Sequence, residues 1–409
     1  MAVLLNKKTF IFSMLLCTLA CGTPLELHSV NPGQTAALTA TQLQITGNGF
    51  NDQLQLALEA SGLKISLGNI VVESPSQATA SIPASAPADT YDLVATLNNA
   101  SAILPEAVQL LGGTLRLIFL DVEQGDATLI IAPTGETLLI DGGPNFLDRT
   151  LTQAIAAHTD REPDAVVLTH HDADHLGGLV HYLMGDDGTA GTGDDRVPPT
   201  TYGPDDDGSC TSQTCSRFRH LLAYPFERAY AGTTFQLGEI EIDIVSSDGD
   251  LGDGPFANEI DENEKSVGLL IRYGNRKILI AGDLTGGGLD TTDLESPLSA
   301  KTGVLDVLRV SHHGSLTSTP QTALENWNPG LAVLSAGTHN AYCHPHPDVV
   351  ERLLNHVESI WITGGGPDPE TCGHTLTNHE KMNHSQGDIT ISVSADGTID
   401  VTSQNQAND

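Results

Sequence analysis

Val166-Val167-Leu168-Thr169, an apolar and β-branched run, breaks into His170-His171-Asp172-Ala173-Asp174-His175 and then Leu176-Gly177-Gly178. The first four residues predict a buried strand, and residues 176–184 predict a helix. Five metal-capable side chains therefore crowd six positions at the carboxyl end of a strand, the edge where open α/β sheets carry their chemistry. A solvated charge run would bring Lys or Glu and would not follow a buried strand. Histidines and aspartates packed this tightly repel one another, or hold protons, unless a cation neutralises them. The stretch predicts a metal site.

The pattern recurs along the chain. Residues 137–140 run into Asp141-Gly142-Gly143, 277–281 into Gly282-Asp283, and 305–310 into Ser311-His312-His313-Gly314. Residues 331–335 precede Tyr342-Cys343-His344-Pro345-His346. Singly, an Asp-Gly after a strand is a turn and a His-Pro is a loop. Together with the first cluster they predict one shared centre. Strands alternate with helical stretches at 148–158 and 348–356, which predicts an α/β layer architecture. Gly274-Asn275 predicts a hairpin turn, and residues 388–393 with 398–401 a closing hairpin. Residues 185–215 predict a solvated Gly/Asp-rich insertion without EF-hand spacing. A second insertion, 364–387, holds His374, His379 and His384, whose spacing suits a polar rim loop better than a zinc site.

At 409 residues the chain predicts two or three domains, and 18 basic against 52 acidic residues give a net charge of −34. That excludes a nucleic-acid-coating protein and a peripheral binder of anionic lipid. It leaves room for an enzyme acting on an anionic polymer, because metals invert the field locally. Lys7-Lys8, the apolar run 10–20 and Cys21-Gly22 predict a secretory signal over residues 1–21, too short for a typical spanning helix. Leu19-Ala20-Cys21-Gly22 resembles a bacterial lipobox, which implies a lipid anchor at Cys21 on the periplasmic or cell-surface side. Cys210, Cys215, Cys343 and Cys372 then remain. Three pairings are open, Cys210 with Cys215 and Cys343 with Cys372 among them, and an exported chain favours disulfides over a cysteine–metal site.

Residues 24–110 are all-β in character, with short alternating stretches between Gly, Pro, Asn and Ser turns. Pro32-Gly33, Ile45-Thr46-Gly47-Asn48-Gly49-Phe50 and 88–94 resemble the immunoglobulin-like IPT/TIG module. That resemblance implies a small β-sandwich serving as spacer, or as binder of a surface polymer or protein, without chemistry of its own. His170-His171-Asp172-Ala173-Asp174-His175 looks like the metal motif of the metallo-β-lactamase fold, in the variant whose usual second His is Asp. Asp121-Val122-Glu123-Gln124-Gly125-Asp126, Leu279-Ile280-Ala281-Gly282-Asp283 and Val310-Ser311-His312-His313-Gly314-Ser315 resemble the branch related to the hydrolase domain of the competence protein ComEC/Rec2. The likeness spans residues 114–402, with 403–409 a polar tail, and departs at Glu123, where that branch often has Gly. The branch also includes secreted phosphorylcholine esterases.

The resemblance implies a four-layer αββα metallo-β-lactamase fold and two divalent metal ions, zinc favoured and manganese possible. One ion would take His170, Asp172 and a His of the His312-His313 pair. The other would take Asp174, His175 and His344, with His346 the alternative. Asp283 would bridge them and Asp141 would support the ligands from behind. A hydroxide bridging the ions would be the nucleophile, with Asp174, Asp283 and His313 central to catalysis. Tyr342 is one conjecture for the group that protonates the leaving group. The resulting expectation is an exported hydrolase acting on a phosphodiester or related ester. The alternatives are hydrolysis of a carboxylic ester, lactone or β-lactam, and a surface-binding lipoprotein with an inactive hydrolase domain. Filled ligand positions argue against the last.

Overall fold

The structure, a computed structural model, describes residues 23–403 apart from 38–39, 61, 84–85, 99, 146–149, 222–225, 255–259 and 377. The expected signal with Cys21, and all but the first residue of the polar tail, lie outside the described residues. The chain divides into two compact units, Met1–Leu110 and Leu111–Asp409.

In the first unit, a four-stranded sheet orders Glu26–Asn31, Thr41–Asn48, Gln77–Ile82 and Gly68–Ser74. A five-stranded sheet orders Gln34–Ala36, Ala100–Leu111, Asp89–Leu97, Gln55–Ala60 and Leu63–Ser66. Alternation explains the pairing: Leu43 and Ile45 are buried while Gln42 and Gln44 face solvent. They pack against Leu58, Tyr91, Leu93 and Val108 of the other sheet. Each fully buried Leu or Ile contributes about 1.5–3 kcal/mol. The result is the all-β sandwich that the turn-punctuated sequence predicts. The groups of convergent metal-capable side chains found among the described residues all lie in the second unit.

The second unit is built on two eight-stranded mixed sheets. In the first, Thr137–Ile140, Ala165–Val167, Thr200–Gly203 and Phe226–Arg228 run parallel. In the second, Arg276–Ile280, Val307–Arg309, Leu331–Leu334, Ser359–Ile362 and Met382–His384 do so. A period of two sends alternate residues to opposite faces. Leu117, Phe119 and Val167 meet Ile271, Ile278 and Val307 in one core between the sheets. Ile118, Val166 and Leu168 pack outward with residues of helices Leu151–Ala156, Ala173–Leu183 and Gln213–Leu221. Leu279 and Leu308 face outward on the second sheet, against Leu298, Leu324 and Leu353 of helices Glu295–Thr302, Gln321–Trp327 and Pro347–Leu354. This is the four-layer αββα arrangement.

The structure places three elements differently from the sequence reading. Thr200–Gly203 is a strand inside the expected 185–215 insertion, and Met382–His384 extends a sheet from within 364–387. The helix expected over 176–184 starts at Ala173, because Asp172 already has the extended backbone of a helix-preceding residue. Asp174 and His175 therefore stand on a helical first turn, which fixes their relative direction. Gly178 permits that helix to sit so low, since a Cβ there would lie 2.0 Å from Gly142 O.

Candidate metal centre

Parallel strands ending at one edge deliver the predicted side chains together. Asp141 follows Thr137–Ile140, His170 follows Ala165–Val167, Asp283 follows Arg276–Ile280, and His312-His313 follow Val307–Arg309. The 121–126 loop closes on them through Asp126 N, which donates to Asp174 O at 3.0 Å. Gly125 lets it approach: its φ is +155° and a Cβ would lie 2.4 Å from Asp174 O. His312 (φ 50°) and His313 (φ 52°) both hold left-handed backbone, which is unfavourable for side-chain-bearing residues and clusters at functional sites.

Asp283 is the hub. Its Oδ1 lies 3.3 Å from His175 Nε2, and its Oδ2 lies 3.5 Å from His313 Nε2 and 3.7 Å from His312 Nε2. Asp174 Oδ2 is 3.3 Å from His313 Nε2, and Asp172 Oδ2 is 3.6 Å from His170 Nε2. Asp172 precedes the helix without capping it through its side chain, so its carboxylate is free to face the centre. Among the described residues four groups of donors lie close enough to hold an ion: His170, His175 and Asp283; Asp174, His175 and His313; Asp126, Asp283 and His313; and Asp126, Asp141 and His175. In the last two, Asp126 is already paired to Arg309.

The hydrogen-bond network assigns the histidine tautomers. Thr169 Oγ1 donates to Asp141 Oδ2 at 2.7 Å, so it accepts from His170 Nδ1 at 3.1 Å. His175 Nδ1 donates to Asp141 Oδ2 at 2.7 Å, and His313 Nδ1 to Ser335 O at 2.9 Å. All three rings therefore present Nε2 inward. Those three Nε2 atoms and Asp283 Oδ1 are buried without a hydrogen-bond partner. A buried unsatisfied polar atom costs about 1–3 kcal/mol, and four convergent ones are the signature of donors shaped for a cation.

The electrostatics agree. Burial pushes the Asp283 carboxyl up, but His175, His313 and His312 override it and hold it well below the usual range. Burial pulls His175 down, yet Asp283 and Asp141 outweigh it and raise its pKa well above the ordinary value. His313 is likewise raised by Asp283 and by the Asp174 carboxylate beside it, while Asp174 is lowered, against burial, by His313 and His175. Burial lowers His312, and burial together with His313 and His312 takes His344 down to about 3. Protons on His175 and His313 thus occupy the role a metal cation would take over.

Asp141 orients His175 and is bonded by Thr169, so its place is behind the donors. His313 stands with Asp174 and His175, which leaves His312 as the member of the pair for the His170 and Asp172 side. His344 is at the periphery, its ring 5.5 Å from that of His312 and 6.3 Å from that of His313. The structure does not bring His346 to the centre: its Nδ1 accepts from Asp348 N at 3.2 Å at a helix start, and its ring lies 5.9 Å from His374. Tyr342 is 70% exposed, with its ring 6.5 Å from His344. His171 is turned aside, held by Glu262 Oε1 at 2.9 Å.

Sequence reasoning missed three residues. Asn340 latches the His344 turn by accepting from its N–H at 3.1 Å and donating to its carbonyl at 2.6 Å. Arg309 is fully buried and pairs with Asp126 and with Gly282 O, 3.3 Å from His313 Nδ1. A lone Arg inside an apolar strand was the signal. Glu262 carries no such mark in the sequence.

Cys210 pairs with Cys215 and Cys343 with Cys372. The second disulfide spans 29 residues beside the His344 turn, for which loop entropy gives about 3–4 kcal/mol. Replacing both cysteines by serine is expected to lower urea-unfolding stability by about 3 kcal/mol. An unchanged midpoint would mean that Asn340 holds the turn unaided.

A family model described as the Metallo-beta-lactamase superfamily matches residues 120–339. "Recombination protein 2" of Haemophilus influenzae is 28% identical over 265 residues, covering 63% of this chain and 29% of that protein. "ComE operon protein 3" of Bacillus subtilis is 24% identical over 259 residues, covering 58% of this chain and 30% of that protein. The chain spans less than a third of the length of these curated relatives. The metallo-beta-lactamase fold protein YhfI from Bacillus subtilis matches at 13% identity and a TM-score of 0.38, over 61% of this chain and 97% of that one. With its αββα layers and a His/Asp centre that fits divalent metal ions, this chain belongs to the metallo-β-lactamase superfamily of hydrolases.

Proposed function

We propose that the chain is a two-metal phosphodiesterase of the nuclease or phosphoesterase class. The observation that carries the reading is the donor set: inward Nε2 atoms of His170, His175 and His313 arranged round Asp283, with carboxylates where imidazoles would soften the site. Each side chain offers one donor atom to an ion. One ion would be held by His170, Asp172 and Asp283, and the other by Asp174, His175, His313 and Asp283, with His312 and His344 at the rim. When bound, divalent ions lower the pKa of a water and stabilise negative charge on substrate oxygens. The protein's own share is orientation: Asp141 fixes His175, Thr169 fixes His170, and Ser335 fixes His313. Zinc is favoured, and the oxygen-rich first site lets manganese compete.

The name of one relative, "Recombination protein 2", supports a phosphodiester substrate over a lactam. Two disulfides support export to an oxidising compartment, with the lipid anchor at Cys21 part of the same proposal. Among the described residues no helix is long and apolar enough to cross a membrane.

The test is metal content by mass spectrometry with a panel of bis-p-nitrophenyl phosphate, nucleic acids, a lactone and a β-lactam. Hydrolysis confined to the phosphodiesters is expected, and cleavage of the lactam or lactone alone would overturn the reading. In the same assay Asp172→His should move metal preference toward zinc; an unmoved preference would refute the hardness argument.

A further inference from the structure

We propose that the substrate of this centre is a small, singly charged phosphodiester and not a nucleic-acid strand. The inference rests on the phosphodiester reading and narrows it. Its starting point is where the cations are. Among the described residues, every Lys and Arg except Arg217 has an intramolecular acceptor. Near the centre, Arg309 is fully buried on Asp126, and Arg352 is spent on the carbonyls of Ser318 and Thr319. Lys265 is held between Asp207 and Glu262, and Arg219 by Asp206.

Acidic residues outnumber basic ones 52 to 18 along the whole chain, and several of the paired carboxylates stay partly exposed. The acidic turn 205–207 is fastened next to the metal motif: Lys265 joins Asp207 to Glu262, and Glu262 holds His171. Asp207 and Asp205 are 51% and 54% exposed. Glu123, on the loop that leads to Asp126, is exposed as well.

A duplex carries one charge per roughly 1.7 Å of axis, and proteins that track it neutralise several phosphates with Lys and Arg. Among the described residues, Arg217 apart, the cations beyond the centre already have acceptors within the protein. Phosphates flanking the one at the centre, within a Debye length of about 10 Å at moderate salt, would face carboxylates on a chain of net charge −34. A small diester brings a single charge, which metal ions at the centre offset. Exposed Tyr342, beside His344, offers an aromatic face for the substituent of such an ester.

The experiment compares metal-loaded full-length protein on a dinucleoside monophosphate, on bis-p-nitrophenyl phosphate and on a single-stranded oligonucleotide. At low salt, kcat/KM per bond is expected to be about tenfold or more higher for the dinucleotide than for the strand, and raising salt should speed strand cleavage by screening repulsion. Asp206→Asn with Asp207→Asn removes two carboxylates and releases Arg219, while Lys265 stays on Glu262. Strand cleavage should then rise several-fold while both small diesters stay unchanged, with thermal unfolding confirming that the variant is folded.

A strand cleaved faster than the dinucleotide, with a rate that falls with salt, would overturn the inference and leave the phosphodiesterase reading standing. A length preference indifferent to salt and to the two substitutions would overturn its charge basis. Failure on all three substrates would remove the phosphodiesterase reading, and this inference with it.

Discussion

Asp283→Asn is expected to yield a folded protein that has lost most of its metal and, with it, at least about a hundredfold in turnover. Both Asp283 oxygens are in use, Oδ1 toward His175 and Oδ2 toward His313 and His312. Asparagine keeps the shape but removes one charge and one oxygen donor at the point where His175, His313 and His312 converge. Metal that binds only the native state stabilises it by about 2.7 kcal/mol at a hundredfold excess over Kd. The parent should therefore gain several degrees in Tm on metal addition, and the variant none. The sign of the pH dependence follows from the raised imidazoles. Metal-free protein keeps protons on His175 and His313 above their ordinary range, so metal binding has to expel them. Affinity should climb with pH by up to about tenfold per unit for each displaced proton. Calorimetry in buffers of different ionisation enthalpy measures that release. A variant that binds metal with the parent's stoichiometry would refute the role of Asp283 as hub.

The legible part of the centre was the part written in contiguous sequence. Strands that end in His or Asp could be read from apolar runs, because a parallel sheet sends their carboxyl ends to one edge. That logic reached Asp141, His170, Asp283 and the His312-His313 pair. It did not reach the choice between His312 and His313, which depends on two successive left-handed residues that no hydrophobic period encodes. The same kink decides that His313 points at Asp174. The sequence leaves His344 and His346 as alternatives because a His-Pro-His-Pro run does not reveal which imidazole caps the following helix, and in the structure that residue is His346. Thr200–Gly203 and Met382–His384 escaped notice because four and three residues are too short to display alternation. Both are recognisable as strands only through the neighbours they pair with.

Arg309→Met is expected to destabilise the protein by about 3–5 kcal/mol, because it strands the buried Asp126 carboxylate without its partner. The native pair is not itself a large source of stability, since taking two charges out of water offsets most of their attraction. Arg309→Met combined with Asp126→Leu should therefore recover most of the loss, with a coupling energy of roughly 2–3 kcal/mol in the double-mutant cycle. Stability alone would not separate a structural pair from a positioning one, and metal affinity does. Arg309 lies 3.3 Å from His313 Nδ1 and 3.7 Å from Asp283 Oδ1, and it also bonds the Gly282 carbonyl just before Asp283. It holds the His313 strand end against the Asp283 turn, so the refolded double variant should still bind metal about 10–100-fold more weakly. Unfolding midpoints together with metal titration of the parent and the three variants decide the matter. A double variant with parental metal affinity would reduce the pair to a structural tie, and additive single effects would show that the two side chains are not coupled at all.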